Sequence, residues 1–138
     1  ISSAYAGTAY ISNLGGTATL CSVLGGGPLG KCQPAPQVQN MLGVSISPEN
    51  YAYFTSPTGI LACALNSPFG SITSCTTTGN ISSPTGIYSV ASFVYVTDTT
   101  ANSVSRCTAD PLTGALSNCE ATGSGFRSPS ALTMKPRI

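Results

Sequence analysis

The stretch VYVTD at residues 94–98 decides the fold of this chain, because two variants of it stand earlier, AYISN at 9–13 and AYFTS at 52–56. Each copy has a tyrosine between two apolar residues, followed by a hydroxyl residue and a short polar residue. The three tyrosines are Tyr10, Tyr53 and Tyr95. Their spacings of 43 and 42 residues indicate a repeat protein in which each copy is one supersecondary unit.

Two cysteines follow the tyrosine in every copy, separated by 11, 12 and 12 residues. Turn-forming residues lie between them, GGGP at 25–28, NSPFG at 66–70 and DPLTG at 110–114. Two strands folded back on such a turn bring the cysteines opposite each other. We therefore predict three disulfides, each within one hairpin: Cys21 with Cys32, Cys63 with Cys75 and Cys107 with Cys119.

The strand pattern of each copy is that of a small antiparallel sheet. Period-two alternation predicts strands at residues 93–98, 103–109 and 115–121 in the third copy. A further strand is predicted after each linker, at residues 42–47, 86–90 and 131–135. Four antiparallel strands in a unit of this length are typical of a β-propeller blade.

The expected fold is therefore all-β, a β-propeller with three four-stranded antiparallel blades per chain in a single repeat domain spanning residues 1–138. Blade 1 covers residues 5–41 plus the strand 131–135 from the same or another chain. Blade 2 covers residues 42–83 and blade 3 residues 84–128. The segments PTGI at 84–87 and VYVTD at 94–98 resemble NHL-like and lactonase-like propeller repeats, and the resemblance extends over essentially the whole chain. It implies a scaffold, and nothing specific about a ligand or catalysis.

The strands that the first and last repeats contain predict self-association. Blade 1 lacks a first strand of its own, whereas residues 131–135 have no later strands. Three blades make too tight a ring, since propellers have about four to eight. We expect a head-to-tail homo-oligomer in which strand 131–135 completes blade 1 of the next subunit, as a six-bladed dimer, a larger ring or a filament. The alternative is that strand 131–135 completes blade 1 of the same chain, which would form a small barrel or sandwich.

Composition excludes several classes of function. Charged residues make up 7% of the chain, and five cations nearly cancel four anions, so we expect no nucleic-acid or membrane partner. No histidine is present, which excludes the usual nucleophilic triads. No two carboxylates are expected to converge as an acid–base pair. The chain is therefore predicted to be a non-enzyme without a cofactor or metal.

Cysteine usage predicts the compartment. Six cysteines without histidine or a C-x-x-C spacing favour disulfides over zinc. Disulfides need an oxidising environment, so we expect a secreted, extracellular protein, with the periplasm as the alternative. Ile1 at the first position fits a chain whose secretion signal has been removed, although a cloned fragment would look the same.

Candidate ligand-binding residues are the polar residues of strand ends and loops, because these are open to solvent in packed sheets. They are Asn13, Ser56, Asp98, Asn102 and Arg127. The repeated tyrosines are instead predicted to pack between sheets. Asn80 begins an N-glycosylation acceptor pattern.

Two function classes fit this sequence. The first is a multivalent binding protein, carbohydrate-binding and lectin-like, because repeated units turn weak sugar contacts into avidity. The second is a structural, self-assembling extracellular protein, favoured by low net charge and by strand exchange between subunits. The sequence places binding first.

Overall fold

The computed structural model describes residues 5–66 and 70–135, and these ranges form strands and no helix. Eleven strands make three antiparallel sheets of three, four and four strands. The expected all-β class is confirmed. Each sheet is a meander in which the chain passes from one strand to the adjacent strand.

The three sheets follow one another along the chain. Sheet 1 contains β1 (Tyr5–Ile11), β2 (Thr17–Leu24) and β3 (Leu29–Gln39). Sheet 2 contains β4 (Gly43–Ile46), β5 (Tyr51–Ser56), β6 (Gly59–Leu65) and β7 (Ile72–Thr78). Sheet 3 contains β8 (Pro84–Val90), β9 (Phe93–Asp98), β10 (Ser103–Ala109) and β11 (Leu116–Thr122).

All three predicted disulfides are confirmed. They join Cys21 to Cys32, Cys63 to Cys75 and Cys107 to Cys119, with 4.0 Å between the Cα atoms of every pair. Each bridge ties the outermost strand of its sheet to the strand before it. These intramolecular disulfides are consistent with an extracellular or otherwise oxidising compartment.

The hairpin turns explain the uneven cysteine spacing. The amide that closes each turn donates from Leu24 to Pro28, from Asn66 to Ser71 and from Asp110 to Ala115, at 3.0, 3.0 and 2.9 Å. Three residues lie between the closing residues in the first copy, and four in the other two. The first cysteine interval is therefore one residue shorter although the hairpin is the same.

The hydrophobic core consists of two layers, one on each face of sheet 2. Ala18 and Val38 of sheet 1 pack with Phe54 and Ile72 of sheet 2. On the other face, residues of sheet 2 pack with residues of sheet 3, among them Tyr53, Ile60, Val94, Val96 and Leu116. Alternation along the strands supplies both faces, since successive side chains point to opposite sides. Sheet 2 therefore lies between sheets 1 and 3.

The strand predicted at residues 131–135 is wrong for the single chain, because these residues form no strand. In the described ranges sheet 1 has three strands, so closure of blade 1 within the same chain is not seen either. A strand needs the N–H and C=O groups of a neighbour. Residues 130 and 131 instead lie against Gly86 in sheet 3, with sheet 2 between them and β1. The described sheets do not close into a ring.

Candidate functional site: the inter-sheet contacts and the two end faces

A tyrosine from each of the first two sheets binds a turn in the following sheet. Tyr10 of β1 donates to the carbonyl oxygen of Gly70 at 2.5 Å. Tyr53 of β5 donates to the carbonyl oxygen of Gly114 at 2.7 Å. Both glycines stand five residues before the second cysteine of their hairpin and have φ values of 77° and 75°. The chain therefore makes the same inter-sheet contact twice.

Tyr51 adds a second contact between sheets 2 and 3. Its hydroxyl donates to the carbonyl oxygen of Leu112 at 2.7 Å. Its ring lies so close to Gly114 that a Cβ there would be 2.6 Å from Tyr51 Cδ1. The left-handed φ and the ring together require glycine at this turn. In sheet 1 the residue two positions before the tyrosine is the smaller Thr8.

The surroundings of Tyr53 keep its hydroxyl protonated, so that it remains a hydrogen-bond donor. Tyr53 is fully buried. Burial, followed by the negative charge of Glu49, raises the pKa of Tyr53 to about 12. Both effects disfavour the phenolate. The hydrogen bond to Gly114 is therefore present throughout the neutral and mildly alkaline range.

Sheet 3 carries the same tyrosine position on a face that no further sheet covers in residues 5–66 and 70–135. Tyr95 is half-buried, and its hydroxyl donates no hydrogen bond within those ranges. Phe93, two positions earlier, lies under the Arg106 guanidinium, whose carbon is 4.7 Å from the ring centroid. Such a stack is a cation–π contact. We call Phe93, Tyr95 and Arg106 the sheet 3 end face.

At the opposite side of the stack, one face of sheet 1 is covered by no other sheet among the residues that the structure describes. The apolar residue three positions before the second cysteine is Leu29, Ile72 or Leu116 in successive sheets. Its exposed fraction is 54% in sheet 1, but 9% and 7% in sheets 2 and 3, where a preceding sheet covers it. Gly27, five positions before Cys32, is exposed with φ 104°. Ile11, half-buried, is the counterpart of the fully buried Phe54 and Val96. We call Ile11, Gly27 and Leu29 the sheet 1 end face.

Two of the predicted ligand-binding residues hold hairpin turns together. The Asn13 side-chain amide donates to the Thr17 carbonyl at 2.7 Å and to the Thr19 hydroxyl at 2.8 Å. The Ser56 hydroxyl donates to the Gly59 carbonyl at 3.2 Å and is 8% exposed. Their polar groups therefore satisfy local backbone and side chains.

The other three lie at the end of sheet 3. Asp98 is 5% exposed, and its Oδ1 accepts from the Ala101 amide at 2.9 Å. Asn102 accepts from the Ser128 amide at 2.8 Å. Arg127 is exposed. Asp98 and Asn102 thus shape one loop beside Arg127, whereas Asn13 and Ser56 belong to other sheets. The assignment of these five residues to a ligand stays a prediction.

The remaining functional groups are scattered. Asn80 is exposed in the loop between β7 and β8, where a glycan would be sterically accessible. Across residues 5–66 and 70–135, no three Cys, Asp or Glu side chains come together in a way that could hold a metal ion. The same ranges contain no helix long and apolar enough to cross a membrane.

One cavity, of about 590 Å³, lies where sheet 1 meets sheet 2. Thr8, which lines it, holds the position in sheet 1 that the larger Tyr51 holds in sheet 2. Lys31, Gln33 and Ser22 give its wall a cation, an amide and a hydroxyl. This volume falls in the range of small-ligand sites, about 300–1,000 Å³. No pattern in the sequence predicts this cavity.

Sequence reasoning also missed the acceptor side of the inter-sheet contact. The signal was present, since Gly27, Gly70 and Gly114 share one offset from the second cysteine. In the sequence alone, that offset indicates only a turn. The chain matches no protein-family model, and no curated protein resembles it in sequence closely enough to count as a relative.

Proposed function

We propose that this chain is the non-catalytic subunit of an extracellular assembly in which sheet 3 of one copy stacks on sheet 1 of the next. The inter-sheet contact made twice within the chain carries this proposal. The repeat has one more tyrosine at the donor position, Tyr95, and one more glycine at the acceptor position, Gly27. These two residues lie at opposite ends of the stack of sheets. Binding of Tyr95 to Gly27 of a second copy repeats the step from sheet to sheet, which is a heterologous, head-to-tail interface.

The composition of the two end faces supports this pairing. The sheet 1 end face exposes Leu29 and Ile11, and the sheet 3 end face offers aromatic rings to cover them. Burial of apolar surface is the main driving force of association. A chain with five cations and four anions also has little net charge to oppose contact between copies.

The assembly we propose is a propeller-like ring or a filament. Two copies with three sheets each would supply six sheets, within the usual range of about four to eight blades. If the rotation between sheets does not close after two copies, the same interface forms a larger ring or an open filament. The interface is the same in all of these forms.

The first prediction concerns Leu29. Leu29→Lys is expected to convert the assembly into 13.9 kDa monomers, because an ammonium group would be buried beside the Arg106 guanidinium of the next copy, and like charges repel. Size-exclusion chromatography with light scattering measures this. Leu14→Lys is the matched control, since Leu14 is 73% exposed but lies in the β1–β2 turn, outside both end faces. A wild-type mass of one chain, or equal effects of the two variants, would contradict the proposal.

Glycan binding is the second candidate function, and the cavity between sheets 1 and 2 favours it. Hydroxyl, amide and ammonium groups on one wall are the partners that sugar hydroxyls need. We expect a glycan array to detect binding that Lys31→Ala and Gln33→Ala weaken at least tenfold while Arg127→Ala leaves it unchanged. Loss with Arg127→Ala alone would move the site to the strand-end loops, and absence of binding on the array would reject this candidate.

A further inference from the structure

The segment that follows sheet 3 lies where the first strand of another sheet would begin. A Cβ at Gly43 of β4 would be 2.7 Å from the Thr85 carbonyl oxygen, at the start of β8. A Cβ at Gly86 of β8 would be 2.9 Å from the Ser130 carbonyl oxygen and 2.6 Å from Ala131 Cα. Ser130 and Ala131 therefore lie against sheet 3 in the same way as Thr85 and Gly86 lie against sheet 2.

Threonine hydroxyls fix both junctions. In sheet 2, Thr55 accepts from the Gly43 amide at 3.0 Å and donates to the Thr85 carbonyl at 2.5 Å. In sheet 3, Thr97 accepts from the Gly86 amide at 2.7 Å, and Thr99 donates to the Pro129 carbonyl at 2.7 Å. Pro129 is thus anchored by a hydrogen bond, immediately before the two residues that lie against Gly86.

The sequence after Ala131 matches the start of the other first strands. An apolar residue follows the junction in each case, Val44, Ile87 or Leu132. Val44 pairs with Phe54, and Ile87 pairs with Val96. The residue equivalent to Phe54 and Val96 in sheet 1 is Ile11. This register places Leu132 opposite Ile11 and Met134 opposite Ala9.

Sheet 1 offers the edge that such a strand requires. In sheets 2 and 3 a first strand covers the strand that carries the tyrosine, whereas no strand in the described ranges pairs with the outer edge of β1. An uncovered edge strand is a template for addition of another strand. The chain's own residues 131–135 cannot reach this edge, because sheet 2 lies between.

We propose that residues 131–135 of one copy add to the outer edge of β1 of the next copy as its fourth strand, with Leu132 opposite Ile11. This inference rests on the proposed head-to-tail assembly and adds to it a named segment and register. Stacking of the end faces and addition of the strand occur at the same interface, so each reinforces the other.

The experiment compares the full chain with a chain that ends after Ala131, which keeps the Pro129 contacts. Mass is measured by light scattering, and exchange of β1 amides by hydrogen–deuterium exchange. We expect the full chain to be oligomeric with protected β1 amides, and the shortened chain to be monomeric with faster exchange in β1. A synthetic peptide of residues 128–138 is expected to restore that protection, and a scrambled peptide is not.

The outcomes separate the two proposals. A monomeric full chain would overturn the assembly and the strand addition together. An oligomeric full chain whose mass and β1 protection are unchanged by the deletion would overturn strand addition and leave the stacking of end faces standing. Failure of the peptide to protect β1 of a folded, shortened chain would likewise overturn the strand assignment.

Discussion

Replacement of Tyr53 by alanine is expected to lower the free energy of unfolding by about 3–5 kcal/mol, as for other large aromatic residues removed from a core. Tyr53 is fully buried between sheets 2 and 3, and its hydroxyl satisfies the Gly114 carbonyl. Alanine would leave a cavity and an unpaired carbonyl oxygen. Urea unfolding followed by circular dichroism, without reductant, measures the loss.

Tyr95→Ala is the matched control, because Tyr95 holds the same position in its strand on an open face. We expect it to cost about 1 kcal/mol or less, as for substitutions outside a core. Both variants are measured in the Leu29→Lys background, so that dissociation of copies does not contribute to the difference. Equal losses for the two tyrosines would show that the sheet 3 end face is already covered within one chain.

The second large effect is expected at Gly114. Gly114→Ala is expected to cost about 2–5 kcal/mol, combining about 1–2 kcal/mol for a side chain in the left-handed region with about 1–3 kcal/mol for overpacking against Tyr51. The same unfolding measurement applies. Gly15→Ala isolates the conformational part, since Gly15 has a similar φ of 85° and nothing within 4 Å of its Cβ position. If the two variants lost the same stability, the contact of Tyr51 with the turn would contribute nothing.

The sequence was sufficient for the features that repeat locally. The cysteine register determined all three disulfides, and alternation placed β9 and β10 at the residues that the structure shows. Both follow from rules that act within one hairpin. Propeller closure, the oligomer and the ligand do not follow from such rules, and they stay proposals.

The local sequence pattern does not predict which repeated residues are exposed because they lie on the first or the last sheet. Tyr53 and Tyr95 have the same local pattern, and both were predicted to be core, yet Tyr95 is half-buried because no sheet follows sheet 3 in the described chain. Leu29 differs from Leu116 for the corresponding reason at sheet 1. Likewise Asp98, predicted to be open to solvent, is buried because its carboxylate caps the turn that follows β9.

In the proposed assembly, sheet 3 of one copy stacks on sheet 1 of the next through Tyr95 and Gly27. A photo-reactive phenylalanine analogue placed at position 93 tests this contact and keeps Tyr95, because Phe93 is the counterpart of Tyr51, which contacts the turn of the following sheet. Cross-links are located by mass spectrometry of the folded protein. Our account predicts cross-links between copies that map to the turn at residues 24–29. A protein that remains a 13.9 kDa monomer without such cross-links, or cross-links that map elsewhere, would contradict it.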